Sequence, residues 1–309
     1  MDNRSPVLGN EVITGAAALH DMEARIDELP LLPQILVKVL QLNPETDNYF
    51  EQFEKLAKED PAFSVRIVAL ANSAAFASVD PITTIRDSLT RIGTSAISSL
   101  VASLAVQRVF MPVEPGQIGL WKHSITVAVT AQQIALLAPG LEVAPEQAYL
   151  TGLLHDIGRF VMLEHATPQL LKVDESNWHS PEELIEADIE VYKYTHSELG
   201  YRACVHWGLP VEIADVVRMH HAPLDEIFVP GSVSAIRFCV QIADRVCLSI
   251  LENPGLEEMT IEEFRELITL ECLRTEKERQ LLSVTDLCHN LLGISIDSKK
   301  LLLGLGFAT

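Results

Sequence analysis

The sequence predicts an all-α fold. Apolar residues recur at intervals of three and four through nearly every segment, which is the spacing of one helix face. No segment shows the strict alternation of apolar and polar residues that indicates a half-buried strand. Proline and glycine separate the periodic segments, as they do at helix ends. Packed amphipathic helices are therefore the expected architecture.

The first half of the chain is expected to begin with a loose tail of 25 residues that runs into a short helix. Asp47 and Pro61 are typical of helix starts, as an N-cap and as a first helical residue. A loop at 113–119 separates this half from the next. The predicted helices are 29–42, 47–60, 61–76 and 84–110, the last as two helices hinged at Gly93.

The second half continues the helical pattern. Beyond it, Thr260 and Glu263 form a capping-box pattern, which predicts that the C-terminal section is helical as well. The helices predicted for the second half lie near 120–138, 145–165, 181–192, 195–207, 210–221 and 232–252.

Length and composition indicate a globular protein of two packed units, with 309 residues, 48% of them hydrophobic and 21% charged. No stretch approaches the roughly 18 uninterrupted apolar residues that a membrane-spanning helix needs. The N-terminal residues lack the pattern of a secretory signal. We therefore expect a cytoplasmic protein.

The net charge of −20 disfavours binding to nucleic acid or to an anionic membrane surface. It also repels an anionic substrate unless a local cation attracts it. The five cysteines form no CxxC pair, so they are expected to be reduced, buried thiols.

The stretch GLLHDIGRF, residues 152–160, places a histidine and an aspartate inside an apolar segment. His155 and Asp156 lie off the main apolar stripe, but Phe160 and Met162 make the helix apolar nearly all round. Such a helix is usually buried. A buried carboxylate needs a partner or a metal ion.

Other histidines and an aspartate offer that partnership. Imidazole and carboxylate ligands suit iron, manganese or zinc, and two such ions sharing a bridging carboxylate act on phosphate esters. Spacing alone does not group these residues or separate them from His20, His165, His179, His206 and His289. Together with His155 and Asp156 of GLLHDIGRF, the candidate ligands are His123, His155, Asp156, His196, His220, His221 and Asp244.

Six motifs occur in order along most of residues 25 to 250: LPLLPQILVKVLQL, EDPAFSVRIVALANSAAF, ITTIRDSLTRIG, GLLHDIGRFVM, HSELGYRACVHWGLP and MHHAP. In these motifs the chain resembles the HDOD family of bacterial signalling proteins, which are relatives of the HD and HD-GYP phosphohydrolases. The resemblance implies an HD-domain-like helical core with an N-terminal HDOD helical subdomain.

The resemblance also implies that the chain binds one or two divalent transition metals through a defined set of ligands. The positions of His123, His155, Asp156 and Asp244 bind one metal in HD relatives. Two-metal relatives add His196, His220 and His221, with Asp156 bridging.

Three features depart from the HD-GYP pattern. No GYP-like motif follows MHHAP, so hydrolysis of cyclic di-GMP does not carry over. Gly119 stands where some relatives have a third-metal glutamate, so at most two ions are expected. Arg159 stands where lysine is frequent, and its guanidinium either grips a phosphate or lies in an ordinary ion pair.

These implications divide the chain into four parts: a tail at 1–25, the HDOD region at 26–112, the HD-like core at 113–252 and a C-terminal extension at 253–309. One hypothesis is a metal-dependent phosphohydrolase or phosphodiesterase, with Asp156 and Arg159 as catalytic residues and a nucleotide or other phosphodiester as ligand. The alternative is a non-catalytic signalling module that binds protein partners and holds a structural metal.

Overall fold

The computed structural model describes residues 16–29, 38, 42, 46, 48–59, 61–72, 82–111, 115–163, 181–224, 229–251 and 259–307. Within these ranges the regular elements are helices and no strand occurs, so the predicted all-α fold is confirmed. The predicted helix at 29–42, the expected cap Asp47, and the start of the predicted tail lie mostly or wholly outside the described residues.

The N-terminal part contributes helices that lie on one side of the site. Gly93 ends one helix and begins the next with a φ of 86°, a conformation that glycine adopts at little cost, so the predicted hinge is confirmed. The described helices are α1 (Ala16–Asp27), α2 (Tyr49–Glu59), α3 (Pro61–Ala71), α4 (Ile85–Ile92) and α5 (Thr94–Val109).

A second group of helices forms the core around the site. The long helix α6 lies at its centre and packs against α7, α12 and α15. The loop predicted at 113–119 is wrong from Pro115 onward, because α6 already begins there. The core helices are α6 (Pro115–Leu137), α7 (Pro145–Leu154), α8 (157–163), α9 (Pro181–Tyr192), α10 (His196–His206), α11 (Val211–Met219) and α12 (Val233–Val246).

The helix predicted at 145–165 is wrong as a single element. Helix α7 ends at Leu154, His155 and Asp156 form a turn, and α8 resumes at residue 157. The Arg159 amide donates to the Asp156 carbonyl at 2.9 Å, three residues back instead of four. This interruption places the HD dipeptide at a junction between two helices.

The C-terminal section folds back on the core. Its helices are α13 (Ile261–Leu267), α14 (Glu276–Leu281) and α15 (Val284–Gly304), and α15 packs along α6. The predicted capping box is confirmed, since Thr260 accepts from the Glu263 amide and the Glu263 carboxylate accepts from the Thr260 amide. All five cysteines are free and buried. Among the described residues no helix is long and apolar enough to span a membrane.

Candidate metal centre

The structure brings all seven candidate ligands together. They come from five places in the fold: three helix interiors or ends, one helix start and one turn between helices. The middle of α6 supplies His123, and the α7–α8 turn supplies His155 and Asp156. The other contributions are His196 from the first residue of α10, His220 and His221 from the end of α11, and Asp244 from the interior of α12. Residues from 123 to 244 thus converge only through tertiary packing.

One cluster joins His123, His155 and Asp244, with ligand atoms within 4.8 Å of one another. The His123 Nε2 lies 3.3 Å from Asp244 Oδ1, and the His155 Nε2 lies 4.0 Å from the same oxygen. His155 and Asp244 are 1% and 8% exposed, so this carboxylate lies inside the protein. Two imidazoles and one carboxylate are a donor set that suits a divalent transition metal.

A second cluster joins Asp156, His196, His220 and His221 within the same limit of 4.8 Å. The His196 Nε2 lies 3.4 Å from His220 Nε2 and 3.0 Å from His221 Nε2. Asp156 Oδ1 lies 3.4 Å from His196 and 3.6 Å from His220.

Asp156 lies between the two clusters. Its Oδ1 faces the second cluster, and its Oδ2 lies 3.8 Å from the His155 Nε2 of the first. The Oδ1 atom is buried and makes no hydrogen bond. A buried carboxylate oxygen without a donor is costly, and a cation between the clusters would satisfy it. One carboxylate facing two ligand sets is the arrangement that a bridging ligand requires.

Hydrogen bonds at the far side of three rings fix which nitrogen carries the proton. The Nδ1 atoms of His155 and His220 lie 2.7 Å from the Gly152 carbonyl and 2.6 Å from the Val217 carbonyl. A carbonyl only accepts, so each Nδ1 is the donor and each neutral ring keeps a lone pair on Nε2. These lone pairs converge on the Asp156 carboxylate, and a metal ion fits such a set of acceptors.

Asp188, on α9, holds His196 in the same way, and the sequence analysis did not find it. Its Oδ2 accepts from the His196 amide at 2.9 Å and from the His196 Nδ1 at 2.5 Å. Asp188 is fully buried and its other oxygen has no hydrogen-bond donor. The sequence signal for it was helical periodicity: Asp188 lies on the same face of α9 as the buried apolar residues Leu184 and Ala187, where an acidic side chain needs a partner.

Two glycines let α8 approach α10 closely enough to join the clusters. A Cβ atom on Gly158 would lie 1.9 Å from the His196 carbonyl oxygen, and one on Gly200 would lie 3.1 Å from the Gly158 amide nitrogen. No side chain fits at Gly158, whereas a Cβ atom on Gly200 would require the neighbouring atoms to shift by a few tenths of an ångström. The glycine of HDIG therefore sets the distance between Asp156 and His196.

The surroundings hold the acids ionised and two of the imidazoles neutral. Burial lowers the pKa of His155 to about 4, against the attraction of Asp156 and Asp244. Burial also lowers the pKa of His221 well below its usual value. For Asp156, burial raises the pKa, but the neighbouring His155, His220 and His196 outweigh it and hold the pKa well below the usual value. Neutral imidazole and ionised carboxylate are the forms that bind metal.

A cavity of about 380 Å³ opens onto both clusters. Arg159 lines it, and the Arg159 Nη1 lies 3.6 Å from Asp156 Oδ2. Leu120 and Leu163 line it on the apolar side, together with Gly119 from α6. The predicted catalytic pair therefore lies at the cavity wall, and its catalytic role stays a prediction.

Comparison with known proteins follows this geometry. The HDOD domain model matches residues 29–223. An uncharacterized protein of Treponema pallidum (strain Nichols) is 26% identical over 208 residues, which cover 67% of this chain. The matched part is 39% of that relative, so this chain corresponds to well under half of its length.

Two crystal structures share the fold. An HDOD domain protein with unknown function from Geobacter sulfurreducens is 25% identical, with a TM-score of 0.68 over 93% of this chain and 98% of that one. A candidate phosphohydrolase from Shewanella amazonensis SB2B is 19% identical, with a TM-score of 0.68 over 95% and 99%. The family model covers more than half of the sequence, and the motif resemblance is confirmed. The chain belongs to the HDOD domain family.

Proposed function

We propose that this HDOD protein is a metal-dependent phosphohydrolase that acts on phosphodiesters. The observation that carries the proposal is the pair of clusters with Asp156 between them. The first would hold one ion through His123, His155 and Asp244, and the second would hold another through His196, His220 and His221. Bound divalent ions polarise a phosphoryl group and lower the pKa of water.

The chain's own groups bind and orient the ester. Arg159 lies at the cavity wall, where its guanidinium donates to the phosphate oxygens in a fork. Leucine side chains at 120 and 163 exclude water around the esterified groups. The Nδ1 hydrogen bonds of His155 and His220 keep both rings in one orientation throughout.

The test is elemental analysis of the purified protein beside Asp156→Asn, with Asp297→Asn as an exposed control. We expect close to two equivalents of iron, manganese or zinc, lost in Asp156→Asn and kept in the control. Hydrolysis of bis(4-nitrophenyl) phosphate is expected to fall by more than roughly 100-fold in the same variant. No metal after reconstitution under reducing conditions contradicts the proposal, and so does activity that survives Asp156→Asn.

Arg159→Gln separates phosphate binding from metal binding. We expect this variant to keep its metal content, because Arg159 belongs to neither ligand cluster. Its kcat/KM is expected to fall roughly 100-fold, as when one preorganised donor to a developing charge is removed. An unchanged kcat/KM would assign Arg159 to the ion pair with Asp156 alone.

One observation favours the second candidate function, a signalling module that acts by protein contact. Helix α15 exposes three apolar side chains on one face, Leu292, Ile296 and Leu303. Replacing all three with serine would weaken partner binding and leave phosphodiester hydrolysis unchanged. Partner capture that also disappears with Asp156→Asn would make the metal part of that interaction instead.

A further inference from the structure

We propose that the substrate is a singly charged phosphodiester whose ester groups are apolar and carry no nucleobase. This inference rests on the proposed function, since it concerns what the same cavity accepts. Two kinds of residue line the cavity. The polar lining consists of five cluster residues, His123, His155, Asp156, His221 and Asp244, and of Arg159. The rest of its described lining is Gly116, Gly119, Leu120, Leu163, Pro181, Leu184 and Leu248.

The rest of the lining that the structure describes, here called the apolar lining, has no side chain that reads a nucleobase. Proteins recognise bases by hydrogen bonds to their polar edges and by stacking on aromatic or guanidinium planes. Within the described residues, the apolar lining offers no side-chain amide, hydroxyl or aromatic ring. A buried base would leave its donors and acceptors unpaired there, which costs free energy for each group. Aliphatic or aryl ester groups lose nothing on entering the same space.

Size and charge point the same way. About 380 Å³ lies at the lower end of the range for small-molecule sites, which suits one phosphate with two compact substituents. Among the lining residues described, Arg159 is the permanent cation, and the whole chain carries −20. A ligand with several phosphates would meet that field with one guanidinium and the two ions. A phosphodiester carries a single charge and meets less repulsion.

The glycines of α6 leave the space that the ester groups would fill. A Cβ atom on Gly116 or Gly119 would meet no heavy atom within 4 Å. Both residues line the cavity, so the helix surface there is open toward it. A Cβ atom at Gly119 starts in this open space, so a large side chain there is expected to extend into the cavity.

A pair of substrates with the same leaving group tests the inference on the metal-loaded protein. Bis(4-nitrophenyl) phosphate has two aryl esters, and thymidine 5′-(4-nitrophenyl phosphate) replaces one of them with a nucleoside. Both release 4-nitrophenol and carry one negative charge. After correction for their uncatalysed rates, we expect kcat/KM to favour the aryl diester by at least tenfold. Equal values, or a preference for the nucleoside ester, would overturn the inference.

A binding measurement keeps this inference separate from the proposed function. If the metal-loaded protein hydrolyses neither ester, the proposed function fails, and the cavity is probed by calorimetry with phenylphosphonate and thymidine 5′-monophosphate. Binding of phenylphosphonate at least tenfold tighter would still support an apolar phosphate ligand. Tighter binding of the nucleotide, or no binding of either, would overturn it.

The variant Gly119→Phe tests whether the ester groups bind in the cavity. We expect kcat/KM for the aryl diester to fall at least tenfold, with the metal content unchanged. The matched control is Gly293→Phe, at an exposed position of α15 where a Cβ atom also meets nothing within 4 Å. Full activity in Gly119→Phe would show that the ester groups lie elsewhere and would overturn the assignment.

Discussion

At the scale of single residues, Asp156 is the strongest indication that the site binds a cation. A carboxylate that is 4% exposed, with one oxygen lacking a donor, survives in a folded protein only if something compensates its burial. The neighbouring histidines favour its ionised form, yet they leave Oδ1 without a hydrogen bond. The electrostatics of this residue therefore favour a bound cation before any comparison with relatives.

Asp188→Asn tests the support behind His196. The asparagine oxygen still accepts from His196, but the negative charge that makes the ring a stronger donor to a metal is lost. We expect affinity for the second ion to fall roughly 10- to 100-fold, as for other residues that support metal ligands. Metal titration of the apoprotein measures it. The first cluster, which Asp188 does not contact, serves as the internal control, and its metal affinity is expected to be the same in both proteins. If the affinity of the second cluster were also the same in wild type and variant, the supporting role of Asp188 would be contradicted.

Gly158→Ala tests the close approach of α8 and α10. The added methyl would overlap the His196 carbonyl, so we expect the free energy of unfolding to fall by at least about 2 kcal/mol. Urea denaturation of the metal-free protein measures the change. Gly293→Ala adds a methyl where there is space and is expected to stabilise α15 by up to about 1 kcal/mol. Similar effects of the two substitutions would show that helix propensity, and not the contact, sets the result.

At the scale of elements, the break between α7 and α8 is the feature that makes a site out of a sequence motif. In a continuous helix, His155 and Asp156 would point about 100° apart around one axis. The turn instead directs His155 to the first cluster, while Asp156 reaches both. The ends of α10 and α11 supply the remaining histidines at fixed backbone positions.

Helix α1 is tied to the segment that leads into His196. The Tyr194 hydroxyl donates to Asp21 Oδ2 at 2.7 Å, and Asp21 also accepts from the Arg25 Nε at 2.9 Å. Tyr194 is buried, and α1 packs on α10. The N-terminal helix and the second cluster therefore share one packed region.

Tyr194→Phe is expected to lower the free energy of unfolding by about 1 kcal/mol, because the half-exposed Asp21 recovers part of the loss from water. Hydrogen exchange in α1 should become faster in the same variant. A double-mutant cycle with Asp21→Asn isolates the pair, and strictly additive effects would show that the two side chains do not stabilise each other.

At the scale of the whole molecule, the buried histidines make the metal-free protein sensitive to acid. Burial holds the pKa of His155 at about 4 and that of His221 well below its usual value, whereas both titrate near 6.5 in the unfolded chain. Below pH 6.5 the unfolded state binds more protons than the native state, so stability falls as the pH falls. His196 has a raised pKa, because Asp188 and Asp156 outweigh its burial, and its contribution is lost only on the alkaline side.

For His155 we expect the free energy of unfolding of the metal-free protein to fall by roughly 1 kcal/mol per pH unit between pH 6.5 and about pH 4. His221 is expected to add to this loss in the same direction, because its pKa is also lowered. Urea denaturation at pH 7 and pH 5 measures the difference. His155→Gln should show a shallower dependence, since glutamine does not titrate. Equal stability of the wild type at the two pH values would contradict this account.

The charge of −20 acts over the whole surface. It predicts that neither nucleic acid nor an anionic membrane is a partner. It also repels an anionic substrate, so Arg159 at the cavity wall is the local cation that would attract one. Signalling protein partners and a cytoplasmic location also stay predictions, as does the division of the chain at residues 25, 112 and 252. In place of the nucleotide expected from the sequence, we propose a phosphodiester without a nucleobase.

The sequence by itself determined the helical class and many helix boundaries. Those features depend on local periodicity and on caps, as with Thr260, Gly93 and the helix that Pro210 precedes. Motifs in the right order also identified the family and the seven candidate ligands. The information for these is contained in short segments, which a single sequence displays directly.

The family resemblance implied two groups of ligands, but only the tertiary structure shows that their atoms lie close together. His123 and Asp244 are far apart in the chain, and their atoms meet because α6 packs against α12. The same packing revealed the break at His155, the apolar lining of the cavity and the pairing of Asp188 with His196; helical periodicity places Asp188 on a buried face but does not name its partner. Helical periodicity states which face of a helix is buried, but the partner of that face is set by long-range packing.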